Sequence, residues 1–368
     1  MRILFAGGGT GGHLYPGLAI ARALVSLEPG ATPYFIGAKR GVERDILPQT
    51  IFPHLLLDLH PLYRLQPWRN WKTAWGLAGA WRALDRLVAQ ERPAALVATG
   101  GYAAGAALAF ARRRRIPIVL QEQNSHPGLT TRLASKAARE IYLGYGEAAQ
   151  HLRTRRDAWV GVTGNPIEPP PAVRPARAAA RARWEFPDDG TPVLLIFGGS
   201  QGALALNQAV SDWLDRDASA APYIIWATGS ASHAAFARLA TPRVRVVPYL
   251  SPIADAYAAA DLALTRAGAL TAAELCAWGI PSVLVPLPTA AADHQTANAR
   301  ALAASGAAVM LEQRHLTVER LDAELQALLR DPQRRSTIAA AALERGRPDA
   351  AREIASRILR LIAGTSAH

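Results

Sequence analysis

The sequence predicts an α/β protein of two nucleotide-fold halves, each a parallel sheet with helices on both faces. Three observations carry that expectation. Strand-like apolar runs alternate with helix-like segments, at 33–37, 94–99, 116–121 and 159–163, then at 193–197, 222–227, 243–247, 261–265 and 281–286. Such alternation is the pattern of βαβ units, whose crossovers cover both faces of a sheet. Near the middle, NPIEPPPAVRPAR carries prolines at 166, 169, 170, 171 and 175, too many for a helix or a central strand, so it reads as a linker. Directly beyond it the pattern that opens the chain recurs: apolar strand, glycine turn, helix. The expected halves are 1–165 and 166–348, with 349–362 as a terminal helix crossing back to the first.

The opening stretch MRILFAGGGTGGHLYPGLAIARAL starts with the strand-like Ile3, Leu4 and Phe5 and passes through a glycine cluster from Gly7 to Gly12. Pro16, Leu18, Ile20 and Leu24 then signal a helix. Without a Cβ at Gly11 and Gly12 a ligand can approach the backbone, and the N–H groups opening the helix point at an anion. Gly7, Gly9 and Gly12 satisfy G-x-G-x-x-G, a weak signal that a tight strand-to-helix turn alone would explain. His13, a titratable ring inside this turn, points instead to a site where a phosphorylated substrate docks.

Four of the nine tryptophans fall within 67–88, at 68, 71, 75 and 81. On a helical wheel Trp68, Trp71 and Trp75 share a face that continues into Arg82 and Arg86, while Leu77, Trp81, Leu84 and Val88 share the opposite one. The second face suits packing on a sheet. Tryptophan beside arginine on the first suits the headgroup region of an anionic membrane, although packing against a neighbouring loop or subunit would also use it. Residues 93–111 carry no charge and precede Arg112 to Arg115, but Gly100-Gly101 splits the run. Strand, glycine turn and helix describe it better than a membrane span.

Polar residues crowd three further stretches at loop positions: QEQNSHPGLTTR (121–132), GNP (164–166) and 265–299. In the last, a helix is expected to start near Ala269 to Thr271, which puts Glu274 in its first turns. A carboxylate there can accept two hydroxyl hydrogen bonds from a ribose diol, or can simply complement the helix dipole. The second-half turn VLLIF-GGSQGALALNQAV brings Ser200, Gln201 and Gly202 to a phosphate-sized loop.

At 368 residues the chain is long enough for two cores. Its single cysteine, Cys276, excludes an intramolecular disulfide and fits a reducing compartment. The opening apolar run is too short for a signal peptide, so the N-terminus is expected in the cytoplasm. The net charge of +12 is uneven: residues 1–166 hold 21 of the 41 Lys and Arg but only 10 of the 29 Asp and Glu. A phosphorylated substrate, an anionic membrane or a nucleic acid could each use that excess.

GGGTGGHLYPGLAIA, GGYAAG, EQNSHPGLTTRLAS, GNP, GGSQGALALN, RAGALTAAEL and DHQTANA stand in this chain in the order and spacing of the bacterial MurG family. The resemblance covers essentially the whole sequence. It implies the GT-B glycosyltransferase architecture, two Rossmann-like domains around a central cleft, the first facing acceptor and membrane and the second binding UDP-GlcNAc. It also implies inverting transfer of GlcNAc to the C4 hydroxyl of lipid I, giving lipid II in peptidoglycan synthesis. The expected location is peripheral, on the cytoplasmic face of the cell membrane, with no cofactor and no metal.

Carried over by motif, His13 matches the general base, and Thr10, Gly11 and Gly12 belong to the loop beside acceptor and donor. Asn124 matches a donor contact. Ser200, with Gln201 and Gly202, matches the loop reaching the uridine nucleotide; Leu250 meets the uracil; Ala269, Leu270 and Thr271 offer backbone groups to the diphosphate. Glu274 matches the ribose-binding acid, and His294 and Gln295 fall where the family reads sugar hydroxyls. Two positions depart from the pattern. Glu168 stands where an arginine commonly follows GNP, and His294 replaces a glutamine seen in some members. Glu122 is a second candidate base, or the residue that orients the ring of His13.

Other function classes fit less well. A dinucleotide-dependent oxidoreductase wants an acid at the end of its second strand, where this chain has Gly37-Ala38-Lys39. None of the three lysines, Lys39, Lys72 and Lys136, follows a glycine as a P-loop requires. Asp215-Arg216-Asp217 is formally a D-x-D metal motif, but it follows what looks like the end of a helix and reads as a solvated charge run. A nucleic-acid-binding module would leave His13, Glu274 and both glycine turns unexplained, so no nucleic-acid partner is expected. The nearer rival is a sugar transferase acting on diacylglycerol or another lipid.

Overall fold

The structure, a computed structural model, describes residues 1–59, 70–199, 202–216 and 222–366. Trp68, Ser200, Gln201 and Asp217 lie outside the described residues, as do the side chains of Trp71 and Trp75. The chain forms two compact units, one of Met1–Glu168 with Pro348–His368 and one of Pro169–Arg347.

The first unit is a seven-stranded parallel sheet of β1 (Arg2–Gly7), β2 (Thr32–Ala38), β3 (His54–Leu57), β4 (Ala95–Gly100), β5 (Ile118–Glu122), β6 (Glu140–Leu143) and β7 (Trp159–Val162). Their spatial order is β3-β2-β1-β4-β5-β6-β7. Helices cover both faces, so the central strands are continuous apolar runs instead of alternating ones. On one face Leu4, Leu96 and Ile118 pack under Leu84, Leu87 and Phe110. On the other, Ile3 and Phe5 meet Leu14, Leu18 and Leu24 of the helix Gly11–Leu27, and Ile354, Ile358 and Ile362 of the helix Ala350–Ser366. That last helix is further held where Arg357 lies over the ring of Trp159, 3.4 Å from its centroid, and pairs with Glu140. Strand order reverses between β1 and β4, and in such sheets ligands bind beyond the carboxyl ends of the strands at that point.

The second unit is a six-stranded parallel sheet of β8 (Val193–Phe197), β9 (Tyr223–Ala227), β10 (Val244–Val247), β11 (Leu262–Thr265), β12 (Ser282–Leu284) and β13 (Val309–Met310), in the order β10-β9-β8-β11-β12-β13. The doubly wound α/β class is the one expected from the alternation of segments. Three strands escape that pattern: β3, β6 and β13 are four, four and two residues long. β6 also begins on a buried glutamate, Glu140, which Tyr142 and Arg357 satisfy. A short run with an acid in it does not look like a strand.

The helix Asn70–Gln90 sends Ala80, Leu84 and Leu87 into the core, with Trp81 edge-on to Phe110 at 5.1 Å. Arg82 and Arg86 are exposed. Leu77, expected on the packed face, is instead 44% exposed, a turn ahead of the part of the helix that meets the core. Among the described residues no helix is long and apolar enough to cross a membrane.

Candidate active site

In the first unit the site is built where β1 and β4 end side by side, with Gly7 opposite Gly100. Thr10 is the N-cap of the helix Gly11–Leu27, in extended conformation and with its side chain making no capping bond. Thr10 and Gly12 are exposed and His13 is half-buried. A Cβ on Gly12 would meet nothing nearer than the Thr10 hydroxyl oxygen at 3.8 Å. Packing does not demand glycine there, although glycine costs a helix about 1 kcal/mol against alanine. The open space at Gly12 suits the close approach of a ligand. Gly100 is different: its φ is +98°, and a Cβ would stand 3.0 Å from Nδ1 of His13. The imidazole lies directly on backbone that only glycine can form.

Nδ1 of His13 is 3.0 Å from the carbonyl oxygen of Thr99 and 3.1 Å from Oε1 of Gln123. A carbonyl oxygen only accepts, so Nδ1 carries the proton and, in the neutral ring, Nε2 keeps its lone pair. Thr99 completes the contact by donating its hydroxyl to the His13 carbonyl at 2.5 Å. Glu122 does not orient the ring. Its Oε1 accepts from the backbone N–H and side-chain amide of Asn124 at 3.1 and 3.2 Å, and its Oε2 accepts from the Gly128 N–H at 3.2 Å. Side chains alternate along a strand, so Gln121 and Gln123 share a side and Glu122 points to the other. Glu122 therefore orders the loop that carries Asn124, and the ring contact falls to Gln123.

In the second unit the turn after β8 has Gly199 and Gly202 at positive φ, +88° and +73°. A Cβ on Gly202 would lie 2.4 Å from the Thr228 carbonyl oxygen, so this glycine is required by the approach to the end of β9. The helix Ala269–Trp278 starts from Gly268, which has no side chain to cap it, and so opens Ala269, Leu270 and Thr271 at its positive end. Glu274, one turn further on, accepts a hydrogen bond at Oε2 from the Tyr257 hydroxyl at 2.7 Å. Burial, and then the neighbouring Glu274 charge, hold the Tyr257 hydroxyl well above its ordinary pKa, so it remains a donor. Leu250 lies in the same buried cluster as Tyr257.

His294 donates from Nδ1 to the Ala291 carbonyl at 2.7 Å, leaving Nε2 as the acceptor of its neutral ring. Gln295 accepts the Leu287 N–H at Oε1 at 3.0 Å, which fixes its amide with the NH2 group as the part it can offer. Ala292 and Asp293, just ahead, both hold φ of +54°, a conformation that costs a non-glycine residue about 1–3 kcal/mol. Asp215 caps the end of the helix Leu204–Leu214 and pairs with Arg238 at 3.7 Å.

Sequence reading did not single out Gln123, Tyr257 or Arg266. Gln123 stood inside a recognised motif. Tyr257 comes from another helix and left no local signal. Arg266 is buried, donates to the Val285 and Pro286 carbonyls at 3.2 and 3.3 Å, and has its pKa lowered by burial. It ties the end of β11 to the loop beside Gln295. An isolated charge between an apolar strand and a glycine was the available clue.

Profiles described as the N-terminal and C-terminal domains of glycosyltransferase family 28 match residues 3–143 and 193–354. Two curated relatives carry the name UDP-N-acetylglucosamine--N-acetylmuramyl-(pentapeptide) pyrophosphoryl-undecaprenol N-acetylglucosamine transferase. The one from Chlorobium limicola is 38% identical over 98% of this chain and 99% of its own; the one from Salinibacter ruber is 40% identical over 98% and 96%. The crystal structure of Acinetobacter baumannii MurG, 28% identical, covers 98% of this chain and 99% of its own, with a TM-score of 0.76.

The chain belongs to the MurG family.

A UDP-glucose:anthocyanidin 3-O-glucosyltransferase in complex with UDP is only 13% identical but covers 99% of both chains at a TM-score of 0.68, which shows the shared glycosyltransferase fold. Of the two departures from the MurG pattern, Glu168 is exposed and His294 is held by the Ala291 carbonyl.

Proposed function

We infer that the protein transfers N-acetylglucosamine from UDP-GlcNAc to the undecaprenyl-pyrophosphoryl-N-acetylmuramyl-pentapeptide acceptor, lipid I, yielding lipid II. The single observation that carries the chemistry is the bond from His13 Nδ1 to the Thr99 carbonyl, which leaves Nε2 as a base. The C4 hydroxyl of the muramyl sugar gives its proton to Nε2 while its oxygen bonds the anomeric carbon. The bond from that carbon to the diphosphate breaks, with inversion, and negative charge gathers on departing UDP. A positioned base contributes about 10²–10⁴ in rate. The N–H groups opening the helix Ala269–Trp278 are suited to the charge on the leaving diphosphate.

The remaining roles follow in this reading. Glu274, oriented by Tyr257, takes the ribose hydroxyls; Leu250 lies against the uracil; His294 Nε2 and the Gln295 amide read the sugar hydroxyls. Gly202 with Ser200 and Gln201 completes the nucleotide loop, and Asn124 contributes a further donor contact. Thr10, Gly11 and Gly12 face the acceptor. The first unit serves acceptor and membrane, the second UDP-GlcNAc. Trp68, Trp71, Trp75, Arg82 and Arg86 form the contact with an anionic membrane surface, and the enzyme works peripherally on its cytoplasmic face.

Incubation with labelled UDP-GlcNAc and a lipid I analogue, with UDP-glucose and diacylglycerol as controls, tests this directly. Transfer of glucose to diacylglycerol in preference to GlcNAc to the analogue would overturn it.

A further inference from the structure

Gln121, Gln123 and Asn165 are all buried, and their amides are linked to one another and to His13. Three backbone carbonyls, of Gln123, Thr99 and Gln121, fix which way every one of them points. Asn165 lies 3.0 Å from the Gln123 carbonyl oxygen, so the atom facing it is Nδ2. Its Oδ1 then faces Gln121, which must meet it with Nε2, at 3.2 Å. That turns Oε1 of Gln121 towards Gln123, whose Nε2 donates to it at 2.5 Å and also reaches the Thr99 and Gln121 carbonyls at 2.8 and 3.2 Å. The remaining atom of Gln123, Oε1, faces Nδ1 of His13 at 3.1 Å. Flipping any one amide sets acceptor against acceptor, which in a buried site costs about 1–3 kcal/mol for each unmet group. Gly144 carries no side chain where Asn165 lies; a Cβ there would be 2.3 Å from Oδ1.

We propose that Asn165 and Gln121, acting through Gln123, are positioning residues that hold the plane of the His13 ring, so that Nε2, left unprotonated by the Thr99 contact, is presented to the acceptor hydroxyl. Thr99 alone sets one direction for Nδ1–H. A second acceptor at 3.1 Å, itself locked by the amide chain, fixes the plane of the ring. Amides are needed at all three positions because each side chain both donates and accepts. The role of Asn165 in the GNP stretch is then to brace the base from two residues away. This rests on the reading of His13 as the base.

The test compares Gln123→Met and Asn165→Ala with the parent enzyme by ring ¹⁵N spectra of His13, assigned by difference from His13→Gln, and by steady-state kinetics on UDP-GlcNAc and a lipid I analogue. The parent ring is expected as the Nδ1–H form, with that proton slow to exchange with water. Thr99 keeps the tautomer in both variants, but a ring no longer fixed in its plane should exchange the Nδ1 proton about tenfold faster and lose about tenfold in kcat, with KM for UDP-GlcNAc within about twofold. A purely structural role would lower activity without changing exchange at Nδ1. Unchanged exchange of that proton, or kcat within about threefold of the parent, overturns the proposal. If Gln123→Met does not fold, Asn165→Ala, which leaves every atom touching His13 in place, decides alone. Faster exchange of the Nδ1 proton in a protein whose His13→Ala variant still turns over would support the orienting chain and reject the base.

Discussion

Tyr257 donates its hydroxyl to Glu274 from a different helix, and burial holds that hydroxyl well above its ordinary pKa. The carboxylate is thereby held in one orientation by a second helix. Tyr257→Phe removes one donor and leaves the ring in its cluster. Calorimetry should show UDP-GlcNAc affinity falling by about 1–2 kcal/mol, with kcat at saturation little changed. Unchanged affinity would detach Glu274 from donor binding.

His13→Ala should bind UDP-GlcNAc like the parent and lose about 10²–10⁴ in turnover with the lipid I analogue. Near-normal turnover in that variant would remove His13 from the base role.

Gly12→Ala separates folding from function. Nothing within 3.8 Å opposes the new methyl group, and alanine favours a helix over glycine by up to about 1 kcal/mol. Denaturant unfolding should show equal or slightly higher stability while turnover falls. Full activity would mean that no ligand approaches that backbone.

At Gly100 the same substitution should do the opposite. Alanine would have to hold a φ of +98° with its Cβ 3.0 Å from the imidazole, a strain of about 1–3 kcal/mol before any ring displacement. Thermal unfolding and turnover should therefore decline together.

Arg82 and Arg86 are both exposed on the helix Asn70–Gln90, which also carries Trp71, Trp75 and Trp81. Each basic residue near an anionic surface is worth about 1 kcal/mol, so the double change Arg82→Glu with Arg86→Glu should cut vesicle binding at least tenfold. Co-sedimentation with phosphatidylglycerol vesicles reads this, and equal binding of both proteins would place the membrane contact elsewhere.

Much of the molecule could be read in the chain because its physics is local. A long apolar strand, a glycine turn and an amphipathic helix are consecutive in sequence, so β1, β4, β8 and β11 stand out, as do the turns carrying Gly12 and Gly202. What escaped was assembled from distant segments. Gln123 reaches His13 across 110 residues, and Tyr257 reaches Glu274 from the preceding helix. Glu122 was attractive in sequence because a carboxylate beside a histidine is a common pairing. The alternation of side chains along β5 turned it away, and the neighbouring amide met the ring. Leu77 shows the same limit on a helix, since a wheel gives a direction but not the point where the neighbouring layer ends.

The helix Ala350–Ser366 lays Ile354, Ile358 and Ile362 against Leu14, Leu18 and Leu24 near the other end of the chain. On the ribosome, the unit that is begun first is therefore the last to be sealed. Through most of translation one side of its sheet waits with the helix Gly11–Leu27 in place and the apolar surface beside it uncovered, a stage at which a chaperone or a premature stop would matter most.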